Sequence, residues 1–324
     1  MSAPPQTSDA AAQASTQATR PPSIVMRFFQ SDLWHSFTRS WLTMTAAFIT
    51  FVMIFSAIFA HQIAPNDPFN LASLSLLDGG KPPFWLADGE WRFPLGTDQQ
   101  GRCVLSSILF GMRISLIVGF LGVVLAATIG ITLGLISGYV GGSVDSVIMR
   151  IADVQLTFPA ILIALLIDGT MRALVGTAKS EVLVFWVLVV SIGLSFWVQY
   201  ARTVRGTTMV ERNKEYVQAA RLIGLGQTTI LFRHVLPNAI GPVLVIVTIN
   251  MALAIITEAT LSFLGVGLPP TEPSLGTLIR VGNEFLFSGE WWVVIFPGVT
   301  LAALVLAINL LGDWLRDALN PKLR

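Results

Sequence analysis

Charge is scarce in this sequence. Only 12% of its 324 residues are Asp, Glu, Lys or Arg, while 53% are hydrophobic and the mean hydropathy is +0.70. Soluble domains carry about 25% charged residues, so a water-soluble globule is excluded. Neither sign dominates, with 20 Lys+Arg against 19 Asp+Glu. There is thus no basic excess to hold a phosphate backbone, and nucleic acid is excluded as a partner. Cysteine is limited to Cys103 and histidine to His35, His61 and His234. One thiol cannot close an internal disulfide, and these scattered residues cannot form a closed structural zinc site, so no metal is expected. Lysine is confined to Lys81, Lys179, Lys214 and Lys322. A phosphate-cradling loop needs Gly-Lys-Ser/Thr, and none of the four stands in that setting. The chain is expected to bind no cofactor, and ATP no more than any other.

Long uncharged runs are what the sequence has in quantity. A bilayer core about 30 Å thick needs about 20 mostly apolar residues per helix. Five gaps between charges satisfy this: Trp41 to Ala60, Ile114 to Val144, Val182 to Ala201, Val235 to Thr257 and Trp291 to Gly312. A sixth, Val154 to Ile167, is shorter and needs support from charge asymmetry. Six spans with cytoplasmic termini put Arg150, Arg202, Arg205, Arg212, Lys214, Arg221, Arg233 and Arg316 on the cytoplasmic side, as the positive-inside rule requires. With five spans the most basic loop, 202–233, falls outside. Six spans are therefore expected, with 61–113, 168–181 and 258–290 facing out. Residues 1–30 are poor in large apolar side chains at their start and are expected to be a disordered cytoplasmic segment. Residues 31–113 then hold the first span, an uncleaved anchor, and a Pro-punctuated external cap. Residues 114–324 form a five-helix core with a cytoplasmic loop at about 201–240.

Gly130, Gly134, Gly138 and Gly142 recur every four residues and so share one helical face. Such faces let helix backbones approach closely in lipid, within one chain or between subunits. Pro159, Pro242 and Pro297 can kink spans three, five and six.

The loop at 201–242 concentrates the basic residues. Glu211 to Ile223 is helix-forming, Gly224 and Gly226 break it, and a second short helix is expected from Thr228 to Val235, before Pro237. Ala219 and Ala220 present little side chain beside Arg221, a surface another protein can approach. An amphipathic segment lying on lipid fits the same composition. The string Gln218-Ala219-Ala220, Gly224, His234 and Leu236-Pro237 resembles the EAA motif of the membrane subunits of ATP-binding-cassette importers, E-A-A-x3-G-x9-I-x-L-P. Gln218 replaces the glutamate and His234 the isoleucine, and the longer run EYVQAARLIGLG…FRHVLPN resembles the peptide-and-nickel branch. Leu95-Gly96-Thr97-Asp98 with Gly101-Arg102, Gly111-Met112-Arg113-Ile114-Ser115-Leu116, the series Asp145, Arg150, Asp153, Pro159, and Glu258 with Leu261-Ser262-Phe263-Leu264-Gly265 resemble further stretches of that branch. The tail Leu311 to Asp317 does so too. Cys103 stands where that branch usually has aspartate.

The resemblance implies an all-α integral membrane protein with six transmembrane helices and the type I importer permease fold, of the C-type permease subunit. It implies a coupling helix inserted into a separate ATPase, carried by Glu215, Tyr216, Gln218, Ala219, Ala220, Arg221, Gly224, Leu225 and Gly226. It also implies a second homologous permease subunit, two ATPase subunits holding ATP and Mg, and an extracytoplasmic substrate-binding protein. The cargo is a di- or oligopeptide, or alternatively a nickel complex, moved across a bacterial inner membrane. Two other classes remain open from the residues: a proton-coupled transporter using Asp153, Asp168 and Glu258 at span borders, and a membrane enzyme with Cys103 as nucleophile and His61 as base.

Overall fold

The computed structural model describes residues 37–69, 74–175 and 181–319; the segment expected to be disordered, 1–30, lies outside the described residues. The first apolar run forms α1, Trp41–Ile58. The second forms α2, Val104–Val140, whose 37 residues extend about 55 Å and so project beyond a bilayer core. At Gly141 and Gly142, φ of +72° and +58° turn the chain sharply out of α2. The chain continues as α3, Gly142–Leu156, and α4, Ala160–Val175. Next come α5, Glu181–Glu211, and the short α6, Glu215–Leu222. Another long helix, α7, covers Gln227–Phe263, followed by α8, Leu275–Phe285, and α9, Trp292–Leu319. From Leu42 onward the described residues form one compact unit.

Five of these helices are long and apolar enough to cross a membrane: α1, α2, α5, α7 and α9. In place of the sixth stretch, Val154–Ile167, stands a pair of helices, α3 and α4, bent by 91° at Pro159, where the sequence allowed a kink; the pair gives a sixth span if it crosses as one. The break falls at Thr157–Pro159, because Pro159 lacks an N–H and disfavours helical backbone at Phe158. Gln155 Nε2 donates to the Leu194 carbonyl of α5 at 2.7 Å and anchors the elbow.

The glycine face of α2 is used inside the chain. A Cβ at Gly130 would lie 2.4 Å from the Trp197 carbonyl oxygen, one at Gly134 2.6 Å from that of Ala201, and one at Gly138 2.7 Å from Thr208 Cβ. Without side chains, α2 lies directly on the α5 backbone. Gly142 does not share this face as its spacing suggested: it belongs to α3, and nothing lies within 4 Å of its added Cβ. The end of α2 is closed by α5 as well. Arg212 Nη1 donates to the Gly138 and Tyr139 carbonyls at 2.9 and 3.2 Å, a cation at a helix C-terminus. Arg205 forms a two-pronged pair with Asp145 at 2.5 and 2.6 Å, and Ser137 donates to the same carboxylate.

The segment between α1 and α2 is a turn-rich cap. Asp98 accepts from the backbone N–H of Gln100 and Arg102 at 2.9 and 2.8 Å, and burial pushes its carboxyl above the usual range. Trp292 Nε1, at the start of α9, donates to the Thr97 carbonyl at 3.0 Å. The Leu95–Arg102 motif is thus the joint between cap and core. Helix α8 was read from the sequence only as part of an external loop. Ser274 caps it, accepting from Thr277 N at 3.3 Å, and a Cβ at Gly276 would lie 2.3 Å from the Ala259 carbonyl of α7.

Candidate functional site

The basic loop folds as a short helix suspended between α5 and α7. Helix α5 ends at Glu211, so the single helix expected over 211–223 is divided: residues 212–214 turn the chain before α6 begins. Val217 and Ala220 are buried, packed in a cluster with Val204, Ile230 and Val235. Ala220 is only 4% exposed, so of the two small residues only Ala219 offers itself to an outside surface.

The C-terminus of α6 is closed by hydrogen bonds from Leu225 N to the Ala220 carbonyl at 3.1 Å and from Gly224 N to that of Arg221 at 3.0 Å. This 6→1 and 5→2 pair requires a left-handed residue between them. Gly224, at φ +80°, is that residue. Gly226 plays a different part, as the extended cap that starts α7. Beyond the cap, Leu222 is 89% and Ile223 75% exposed, with Tyr216, Gln218, Arg221 and Leu225 around them. Arg221 also lies over the Tyr139 ring, 5.3 Å from its centre, and lines a pocket of about 480 Å³ with Val140, Leu225 and Gln227.

Tyr216 ties α6 to both neighbours. Its hydroxyl donates to Glu211 Oε2 at 2.5 Å and accepts from Asn238 Nδ2 at 2.9 Å. Asn238 also donates to the His234 carbonyl at 3.0 Å, and Lys214 pairs with Glu211 at 2.6 Å. Burial first, then the Glu211 carboxylate, push the Tyr216 hydroxyl upward, so it stays a donor at neutral pH. Sequence reasoning placed Tyr216 in the loop but missed Glu211 and Asn238 as its partners. The expected second helix does not stop before Pro237. Residues Leu231–Val235 form one π-helical turn, and α7 runs on to Phe263. Pro237 follows this turn, in the first positions of the α-helical stretch Leu236–Phe263, where a missing N–H is tolerated. Glu215 stands exposed in the first turn of α6.

The other constellations do not assemble. Asp153 is exposed and paired with Arg202 at 2.5 Å. Glu258 lies not at a border but fully buried in α7, accepting from Ser115 Oγ at 2.7 Å and Ser262 Oγ at 2.6 Å. Cys103 is buried, and the His61 ring packs edge-on against Phe110 at 4.8 Å with no hydrogen bond to the thiol. Asp168 is buried in α4; Asp153 and Glu258 are held by different partners, and among the described residues no hydrogen bond joins Cys103 to His61.

Five apolar helices of spanning length, or six spans if the bent α3–α4 pair crosses as one, with a short helix suspended between two of them, define a multi-pass membrane protein. Residues 130–324 match the family of binding-protein-dependent transport system inner membrane components, and residues 29–82 match the N-terminal TM domain of oligopeptide transport permease C. The chain belongs to the former family, as a C-type permease of its peptide branch. It is 37% identical over 304 residues to the di/tripeptide transport system permease protein DppC of Pseudomonas aeruginosa, covering 94% of this chain and 95% of that protein. It is 40% identical over 295 residues to the dipeptide transport system permease protein DppC of Escherichia coli K12, covering 90% and 93%. A glutathione transport system permease protein, GsiD of Pectobacterium atrosepticum, is 36% identical, covering 90% and 91%. Among solved structures, an inward-facing MetNI methionine ABC transporter shares the fold, with TM-score 0.51, 18% identity, and coverage of 66% of this chain and 96% of that one. The chain is a transporter subunit and not an enzyme.

Proposed function

We propose that this chain is the membrane subunit of an ATP-driven importer of di- and oligopeptides in a bacterial inner membrane, with both termini in the cytoplasm. A second homologous permease completes the pathway, two ATPase subunits hold ATP and Mg, and an extracytoplasmic binding protein delivers the cargo. The exposed apolar end of α6, held rigidly between two spans, carries the coupling half of this reading. An isolated permease has no reason to present Leu222 and Ile223 to water, and a groove on an ATPase removes that exposure. Near-full-length similarity to permeases named for dipeptides and di/tripeptides supports the cargo.

The test is uptake by the chain co-expressed with its partner subunits. Labelled dipeptide should accumulate in an ATP-dependent way, and a nickel salt or chelate should not compete. ATP-dependent nickel accumulation without peptide uptake would replace the cargo. The topology has its own check. In a Cys103→Ser background, Phe287→Cys, at a site 98% exposed, should react with an impermeant maleimide added to intact cells. Leu222→Cys should react only after permeabilisation. The opposite pattern inverts the orientation. The purified chain alone should hydrolyse no ATP, and nucleotide turnover by contaminant-free protein would refute the assignment of ATP to the partners.

A further inference from the structure

Arg113, in the Gly111–Leu116 stretch, has no part in coupling, yet it occupies an unusual position. It is exposed on α2 and makes no ion pair or hydrogen bond with any described residue. It lines two neighbouring pockets, each of about 440 Å³, which share Arg113 and Ile117 as their common wall. One chamber is apolar, walled by Ile54, Ile58, Leu116, Phe120 and Met251 of α1, α2 and α7. The other is walled by His61, Asp67, Phe69, Phe110 and Glu272.

The frame that puts Glu272 in the same pocket as Arg113 is rigid. A Cβ at Gly111 would lie 3.2 Å from the Pro273 carbonyl oxygen and from Ser274 C, so the 272–274 backbone rests on α2 close to Arg113. Arg102 Nη1 holds the Pro270 carbonyl at 2.8 Å. Ser115 Oγ accepts from Leu275 N at 3.2 Å while donating to Glu258. Despite this closeness Arg113 and Glu272 form no ion pair. Both side chains are exposed and line the same pocket, so a cation and a carboxylate that are not paired with each other face one space. A ligand carrying both charges satisfies both.

We propose that these two pockets are a way-station for the peptide. Its α-carboxylate lies on Arg113, its α-ammonium faces Glu272, and one side chain enters the apolar chamber. Each pocket alone falls in the size range of a small-molecule site with a few convergent polar groups. The inference rests on the peptide reading and on the orientation that places residues 61–69 and 272 on the side where the binding protein docks.

The test uses the assembled complex in nanodiscs, with a tripeptide carrying a benzophenone side chain delivered by the loaded binding protein. Photolysis should attach the peptide to Ile117, Phe120 or Met251. Arg113→Gln should lower that yield by about tenfold or more, the worth of one charge-assisted bond, and Arg113→Lys should retain much of it. Attachment only elsewhere, or a yield unchanged by Arg113→Gln, overturns the proposal. So does native mass spectrometry showing a co-purified phospholipid that Arg113→Gln releases while peptide attachment persists. If the wild-type complex takes up no peptide at all, it is the cargo that is wrong; uptake without attachment in these pockets refutes the way-station alone.

Discussion

Gly134→Leu is expected to abolish accumulation of the protein, because the new side chain must occupy space already filled by the α5 backbone. An added Cβ alone would sit 2.6 Å from the Ala201 carbonyl oxygen and 2.9 Å from Val204 Cβ. Backbone cannot step aside as a flexible side chain can, so α2 and α5 must separate along the contact that Gly130 and Gly138 extend in both directions. Overpacking of this kind costs about 3 kcal/mol or more, a large part of a typical folding free energy. Even Gly134→Ala should destabilise by about 1–3 kcal/mol, although alanine in a helix interior normally gains about 1 kcal/mol over glycine. Gly206 in α5 is the control, since nothing lies within 4 Å of its added Cβ. Gly206→Ala should match or exceed wild type in membrane abundance and detergent melting temperature. Equal abundance of Gly134→Leu and wild type would show that this helix contact does not form.

How much of this was legible beforehand depended on what each signal measures. Gaps between charges measure lengths of apolar chain, so α1, α2, α5, α7 and α9 were found. The same measure cannot see where a helix bends; Pro159 marked a kink in the third stretch, but neither its size of 91° nor the start of the first arm at Gly142 could be read from it. It also stops at charged residues. Glu258 therefore appeared to end a span, whereas two serine hydroxyls allow the carboxyl to be buried inside α7. The four-residue glycine spacing gave the packing face of α2, but not that Gly142 lies past the helix end, which depends on backbone angles of +72° and +58°. In the loop, the motif located α6 and its capping glycine. It could not show that Ala220 faces inward, since α6 offers only eight residues of periodicity. The partners of Tyr216 come from the ends of two other helices, and their meeting is a property of the fold.

Disabling the tip of α6 should separate ATP hydrolysis from transport without harming the fold. Closure of an ATPase pair can shift the membrane subunit only through contacts that differ between its states. On the proposed assignment those contacts are made by Ala219, Leu222 and Ile223, the residues α6 turns outward. Leu222→Asp places a charge where an apolar anchor is needed. Loss of one such anchor costs about 2 kcal/mol, roughly thirtyfold in docking. Ala219→Trp should obstruct the same approach, and Gly224→Val should strain the cap at φ +80°, where a β-branched residue is unfavourable. None of these side chains touches a span, so each variant should reach normal abundance yet lose about tenfold or more of its ATP-dependent uptake. Ala220→Trp should behave differently, losing protein because its site is buried among Val204, Ile230 and Val235. Tyr216→Phe tests the link behind the tip. It removes the bond to Glu211 but keeps the ring, so docking should survive while uptake per ATP hydrolysed falls, through looser transfer of motion to α5 and α7. A helix resting on the lipid surface would give the opposite pattern, because tryptophan is favoured at that interface. Full uptake by Ala219→Trp and Leu222→Asp at matched abundance would therefore remove the coupling role from α6 and leave it an interfacial helix.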